Sequence, residues 1–309
     1  MKEGKKSFYD KLRPYLYLSP ALISIILLSL LPILYTIYIA FTNYNLNHMD
    51  NYKFIGLDNF KTIITGPLKT IFFPVFGWTI IFAIVATLGC YFVGLFLAIL
   101  LNNSDMKESA VYKGILIIPW ALPATIAILA WQGLYDQTYG GINILLKSLH
   151  IISTPIPWLS GPTWAKIAIL ITTIWLGFPY MMNVCIGALS AVPDTYYEAA
   201  DIDGASKWVK FTKITLPAVA SSSLPLIISS FAYNFNNFGA AFLITKGGPA
   251  RVTSQYAGYT DILASSTYKL SMQYNRYDLG AAMGIIVFLI IGTFSFINMK
   301  KSGQFEEVE

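Results

Sequence analysis

Six apolar stretches set the terms for this chain: approximately Leu18 to Phe41, Val75 to Leu101, Gly114 to Gln132, Ala165 to Ala191, Ala218 to Leu243 and Leu279 to Met299. Each has the roughly 20 mostly apolar residues that a helix needs to cross a hydrocarbon layer. Lipid offers no partner to a backbone N–H or C=O, so such stretches must close their hydrogen bonds within themselves. The sequence therefore predicts an all-α integral membrane protein with six transmembrane helices. Composition agrees, with 55% hydrophobic residues against 12% charged. Pro119 and Pro123 interrupt the third stretch, and Pro179 and Pro225 sit inside the fourth and fifth, where kinks are expected.

Basic residues near the span ends set the orientation. Lys2, Lys5, Lys6, Lys11 and Arg13 precede the first span, Lys107 and Lys113 follow the second, Lys207, Lys210 and Lys213 follow the fourth, and Lys300 and Lys301 follow the sixth. With six alternating spans these segments share one side, so both termini are expected in the cytoplasm of a cell whose plasma membrane holds the chain. The expected organisation is a cytoplasmic or interfacial N-terminus over 1–17, a first transmembrane helix over 18–41, a membrane core over 75–299, and a cytoplasmic tail over 300–309. The first apolar run is too long for a secretory signal and lacks an Ala-x-Ala closure, which makes it a retained anchor. On the opposite side, Ile142 to Leu149 reads as a short amphipathic helix, Trp158 and Trp164 as an interfacial aromatic belt, and Lys246 to Ala250 as a Gly-Pro turn.

The longest polar, charged run between two strongly apolar segments is Glu198 to Pro217, within a loop over 194–217. Thr195 stands three residues before Glu198, a capping-box spacing that should start a short helix. Gly204 is its natural left-handed stop, and Ser206 can cap a second short helix through Lys213, with Pro217 ending it or leading into the next span. Two polar stripes then need partners inside the membrane. Thr173, Leu176, Gly177 and Tyr180 recur at i, i+3, i+4 and i+7, as do Ser230, Tyr233, Asn234 and Asn237. Such groups either bond across helices and hold a bundle together, or line a cavity. The middle of neither span holds an ionised residue, which favours an uncharged ligand.

The run Glu198-Ala199-Ala200, Gly204, Ile214, Leu216, Pro217 resembles the EAA loop of membrane subunits in binding-protein-dependent ABC importers. TIWLGFPYMM, SSFAYNFNNF and YDLGAAMGIIVFLI are similar to the maltose and maltodextrin permease subunits of that class, over nearly the whole chain from Ser19 to Lys301. The resemblance implies the type I importer transmembrane fold. It implies that Glu198, Ala199, Ala200, Gly204, Leu216 and Pro217 couple to an ATPase, and that Thr173, Leu176, Gly177, Tyr180, Ser230, Tyr233, Asn234 and Asn237 touch sugar. It further implies a second related permease chain, two ATP-binding subunits and an extracellular solute-binding protein, with ATP and Mg held by the ATPase partners and no cofactor in this chain. Thr173 stands where the enterobacterial form has Asn, and the large outer domain of that form is missing.

Other classes fit less well. The chain has no G-x-x-x-x-G-K-[ST] loop with which to hydrolyse ATP, so a non-enzymatic subunit is expected. An ion-coupled secondary transporter would want buried Asp, Glu or His, yet His48 and His150 are both placed in outer loops. Ser221 to Ser223 lack a nearby base for an intramembrane enzyme, and Cys90 and Cys185 have no metal-ligand spacing. The net charge of +5 is spread along the chain, which suits an anionic leaflet and not a nucleic acid. A maltodextrin is the expected substrate, with galacto-oligosaccharides, other plant-derived oligosaccharides and glycerol phosphodiesters as alternatives, the last wanting basic cavity groups that the two stripes lack.

Overall fold

The computed structural model describes residues 8–103, 106–252 and 254–301. The expectations for Lys2, Lys5, Lys6 and most of the C-terminal tail lie outside the described residues. Among those described, five helices are long and apolar enough to span a membrane: Arg13–Ala40, Lys69–Leu101, Pro162–Ser190, Lys207–Thr245 and Tyr277–Asn298.

The expected third span is not one helix. It is divided into Ser109–Leu116, Ile118–Ala121 and Ala124–Leu134. The prolines are the cause. Pro123 has no N–H to donate, and its ring pushes Leu122 into an extended conformation with ψ 146°, so the ladder stops there and restarts at Ala124. By contrast, Pro179 and Pro225 sit inside unbroken helices.

The Lys69–Leu101 and Pro162–Ser190 helices form the centre of the bundle. They pack closely because glycines replace side chains at the seam: a Cβ on Gly94 would meet the backbone of Met181 and Met182, and one on Gly177 would lie 2.6 Å from Cys90 Sγ. Further along, Lys166 Nζ sits 4.5 Å from the centroid of the Trp78 ring. Contacts that advance together along both sequences mean that these helices run parallel. The segment between them must return across the bundle, and the broken Ser109–Leu134 stretch does so.

The Arg13–Ala40 helix stands at the periphery, with only Ile39 and Ala40 buried, and packs against the last helix. Asn59 ties its end down by donating to the carbonyls of Ala40 and Thr42 at 2.9 and 2.7 Å. At the end of the bundle remote from residue 190, a two-stranded antiparallel ribbon, Ala250–Arg251 with Ser254–Gly258, follows the Gly-Pro turn. It is held by a carboxylate buried from solvent: Asp261 accepts from Lys269 Nζ at 2.6 Å, Ser265 Oγ at 2.7 Å and the Gly258 N–H at 2.6 Å. Gly247 has φ +79°, and a Cβ there would run into that carboxylate. Gly141–Ser148 is the expected short helix. Trp158 is buried within the protein, donates from Nε1 to Asn143 Oδ1 at 3.2 Å, and packs between the rings of Tyr135 and Trp164. Its N–H has an acceptor inside the protein.

Candidate functional site: an uncharged cavity and an exposed helical hairpin

Both polar stripes face one cavity of about 510 Å³. Thr173, Leu176, Gly177 and Tyr180 line it from the middle of the Pro162–Ser190 helix, and Ser230, Tyr233, Asn234 and Asn237 from the other side. No Asp, Glu, Lys or Arg lines this wall among the described residues. Asn237 departs from the expected stripe in one respect. The regular helix ends at Phe235, and Asn237 caps the next one, accepting from the Ala240 N–H at 3.4 Å. The chain bends there and Asn237 still reaches the cavity.

The polar groups of the cavity are not equally free. Asn234 is buried and donates from Nδ2 to Thr87 Oγ1 at 3.0 Å and to Ser230 Oγ at 3.5 Å, while its Oδ1 accepts from Asn237 Nδ2 at 3.5 Å. The Thr173 hydroxyl donates to the Ile169 carbonyl at 2.8 Å and keeps only acceptor capacity. The hydroxyls of Tyr180 and Tyr233 make no hydrogen bond among the described residues, and Tyr233 is 70% exposed. Bundle cross-linking and cavity lining are therefore combined. The amides fix the wall, and the two phenol hydroxyls make no hydrogen bond among the described residues.

The sequence stripes miss a third part of the wall. Pro119, Trp120, Leu122, Ala124 and Ile128 come from the broken segment, and Cys90 of the Lys69–Leu101 helix and Ser229 also line the cavity. The signal was available in the prolines, since irregular backbone at membrane depth persists only where it is packed in protein or lines a cavity.

The polar run after residue 190 forms a helix, turn and helix. Its first helix is Asp194–Ile202, but Thr195 and Glu198 do not make the expected capping box. Pro193 is the cap residue, extended at φ −64° and ψ 135°, so the chain enters the helix at Asp194 and Thr195 lies inside the first turn. Gly204 takes φ +71°, in the left-handed region, and a Cβ there would meet nothing within 4 Å. Ser206 accepts from the Val209 N–H at 3.3 Å, as the sequence suggests. The second helix does not stop at Lys213: it passes through a wide turn, Phe211–Thr215, and continues past Pro217.

Two contacts brace this hairpin, Lys210 Nζ to Asp201 Oδ1 at 2.7 Å and Tyr197 hydroxyl to Thr215 Oγ1 at 2.9 Å. Its outer surface is apolar where solvent would disfavour it, with Ile202 88% and Trp208 70% exposed. Glu198, Ala199 and Gly204 are exposed as well, while Ala200 and Leu216 are half-buried and Pro217 is exposed at the base. Glu198 has no ion-pair partner among the described residues.

A bundle of membrane-spanning helices with a central uncharged cavity and a braced hairpin at one end defines a permease component. The pattern of the family described as binding-protein-dependent transport system inner membrane component matches residues 90–302, and the chain belongs to that family. It is 37% identical to the galactooligosaccharides transport system permease protein GanP of Bacillus subtilis over 311 residues, 99% of this chain and 74% of that protein. It is 43% identical over 237 residues to the maltose/maltodextrin transport system permease protein MalF of Vibrio cholerae, covering 75% of this chain but only 45% of MalF. Among solved structures, a bacterial ABC transporter involved in import of the acidic polysaccharide alginate superposes with a TM-score of 0.78 at 19% identity, over 97% of this chain and 99% of that one. That likeness is one of fold: the type I ABC importer transmembrane domain.

Proposed function

We propose that this chain is the membrane-spanning subunit of an ATP-driven importer that passes a neutral oligosaccharide, a maltodextrin, through the cavity between its two polar walls. The carrying observation is the cavity itself: tyrosine hydroxyls, amides and ring faces, and no charge. Sugar hydroxyls pair with neutral donors and acceptors, and the C–H faces of pyranose rings pack on aromatic rings, whereas an ion or a phosphorylated solute would call for charge in the wall. Galacto-oligosaccharides are a second reading, favoured by the 37% identity to GanP along 99% of the chain.

In this reading Glu198, Ala199, Ala200, Gly204, Leu216 and Pro217 belong to a docking element for an ATPase subunit. The exposed Ile202 and Trp208 offer apolar area to bury there, and the unpaired Glu198 offers a directional polar contact. The braces at Lys210–Asp201 and Tyr197–Thr215 let the hairpin move as one piece, so a push at its tip would travel into the Lys207–Thr245 helix, which carries Ser230, Tyr233 and Asn234. The working assembly would hold a second related permease chain, two ATPase subunits binding ATP and Mg, and an extracellular solute-binding protein. A second solved bacterial alginate ABC transporter, alike in fold at 19% identity and in complex with an alginate pentasaccharide-bound periplasmic protein, supports the last of these. The termini and the hairpin would face the cytoplasm.

The test is uptake by cells lacking only this chain, offered labelled maltotriose, a galactotriose and glycerophosphocholine. Maltotriose uptake restored by the gene supports the proposal; uptake of glycerophosphocholine alone would refute it.

A further inference from the structure

Where the Lys69–Leu101 and Pro162–Ser190 helices end and the Lys207–Thr245 helix begins, a pocket of about 280 Å³ opens between the bundle and the base of the hairpin. It shares no residue with the central cavity. Its wall is graded: Leu189 is buried and Ile99 and Phe211 are half-buried, whereas Asn102 and Lys207 are exposed. No carboxylate lines it. Lys207 has no ion-pair partner among the described residues, and the side-chain amide of Asn102 makes no hydrogen bond among them. Lys210 gives one of the three donors of its ammonium to Asp201 at 2.7 Å, which leaves two. The hydroxyls of Tyr197 and Thr215 are bonded to each other at 2.9 Å, so the spare polar capacity of the pocket lies in two ammonium groups and an amide.

We propose that this pocket binds the headgroup of an anionic glycerophospholipid from the leaflet on the hairpin side. Three span ends meet there, which puts the pocket at the level where hydrocarbon gives way to headgroups. The lipid phosphate pairs with Lys207 and with the remaining donors of Lys210, the Asn102 amide donates to the glycerol oxygens, and Ile99, Leu189 and Phe211 take the start of the acyl chains. A free phosphate ion would use the lysines but leave those three apolar side chains uncovered. A zwitterionic lipid would bring its own cation up to an unpaired ammonium. The lipid in this place touches Tyr197, Lys210 and Thr215, which brace the hairpin, together with the ends of the two central helices, so the charge of the leaflet reaches the joint between hairpin and bundle. The site goes beyond the sugar-carrying reading: it requires that the chain lie in a membrane and is independent of what crosses the central cavity.

The experiment places the complete transporter in phosphatidylcholine nanodiscs doped with a photoactivatable phosphatidylglycerol or, in a parallel sample, a photoactivatable phosphatidylcholine, and maps the crosslinked peptides by mass spectrometry. Phosphatidylglycerol should label residues 99–102, 189 and 207–215 of the parent well above phosphatidylcholine. Lys207→Gln should lower that labelling by about five-fold, the worth of one lysine against an anionic membrane surface. Lys213→Gln, in the same helix but outside the pocket wall, should leave it unchanged, and so should Asp201→Asn, which breaks the brace but keeps both ammonium groups. Equal labelling by the two lipids would overturn the proposal. So would a loss in Lys213→Gln matching that in Lys207→Gln, which would make the attraction diffuse, or the same loss in Asp201→Asn, which would assign it to the shape of the hairpin. Displacement of the phosphatidylglycerol label by inorganic phosphate would give the site to a free anion and overturn the lipid assignment. Labelling is read without transport, so a parent that carries no sugar would remove the oligosaccharide reading and leave this result standing.

Discussion

Asn234 and Thr87 are 147 residues apart in sequence, and the amide Nδ2 of one donates to the hydroxyl of the other at 3.0 Å with both side chains buried. This bond joins the second membrane helix to the wall that carries the cavity. It makes Asn234 a structural member of the site as well as a lining residue, and the two duties can be separated by substitution. Thr87→Val removes only the acceptor and should destabilise the purified complex by about 0.6 to 1.7 kcal/mol, the range for polar contacts between membrane helices, with sugar uptake largely kept. Asn234→Ala should show a similar stability loss and a much larger loss of uptake. Thermal denaturation beside transport assays checks both, and equal transport loss in the two variants would assign Asn234 to the bundle alone.

Tyr180 and Tyr233 hold the uncommitted hydroxyls of the cavity. Removing one hydroxyl with Tyr180→Phe should leave stability unchanged and weaken sugar uptake by roughly ten-fold or less, the worth of one net hydrogen bond of about 0.5 to 1.5 kcal/mol. Tyr180→Ala removes the ring as well and should lose more. Half-saturation measurements on labelled maltotriose distinguish the two.

Gly204 occupies φ +71° with open space around it, so its identity is demanded by backbone conformation and not by crowding within this chain. Gly204→Asn, which tolerates the left-handed region, should therefore couple ATP hydrolysis to uptake better than Gly204→Val, for which the same conformation costs about 1 to 2 kcal/mol. Both should insert normally, as membrane fractionation will show. Uncoupled hydrolysis in the valine variant is the expected signature, and full uptake by that variant would count against a docking role.

Asp261 and Lys269 pair at 2.6 Å with the carboxylate fully buried, under the Gly247 turn. Lys269→Met strands a buried charge and should cost about 3 to 5 kcal/mol, whereas Asp261→Asn combined with Lys269→Met should recover much of that loss. Unfolding of the single and double variants in the purified complex measures the difference. Additive losses would mean that the pair is not coupled.

How much of this was legible in the sequence depends on whether the governing forces were local. Apolar length revealed five of the six expected spans, because the requirement to satisfy backbone in lipid acts on each stretch separately. Helical spacing brought Thr173, Leu176, Gly177 and Tyr180 to one face, and Gly204 and Ser206 announced the turn they make. The capping box at Thr195 failed because Pro193 set the helix start, a competition between neighbours that spacing alone does not resolve. The burial of Trp158 was not legible because its acceptor, Asn143, lies on a different element. The third wall was missed because Trp120 belongs to no periodic stripe; its place follows from two prolines breaking a helix. Pairing of Asn234 with Thr87, and of Asp261 with Lys269, is tertiary information that no local pattern carries.

The central claim is that a neutral cavity changes sides when work reaches it through the hairpin around Gly204. The most direct measurement reconstitutes the complete transporter in liposomes with its solute-binding protein and labelled maltotriose on the side of the cavity remote from the hairpin, and ATP on the hairpin side. The account predicts that sugar accumulates against its gradient only with ATP present and not when Gly204→Val replaces the parent chain. Accumulation without ATP, or driven by an ion gradient alone, would contradict it.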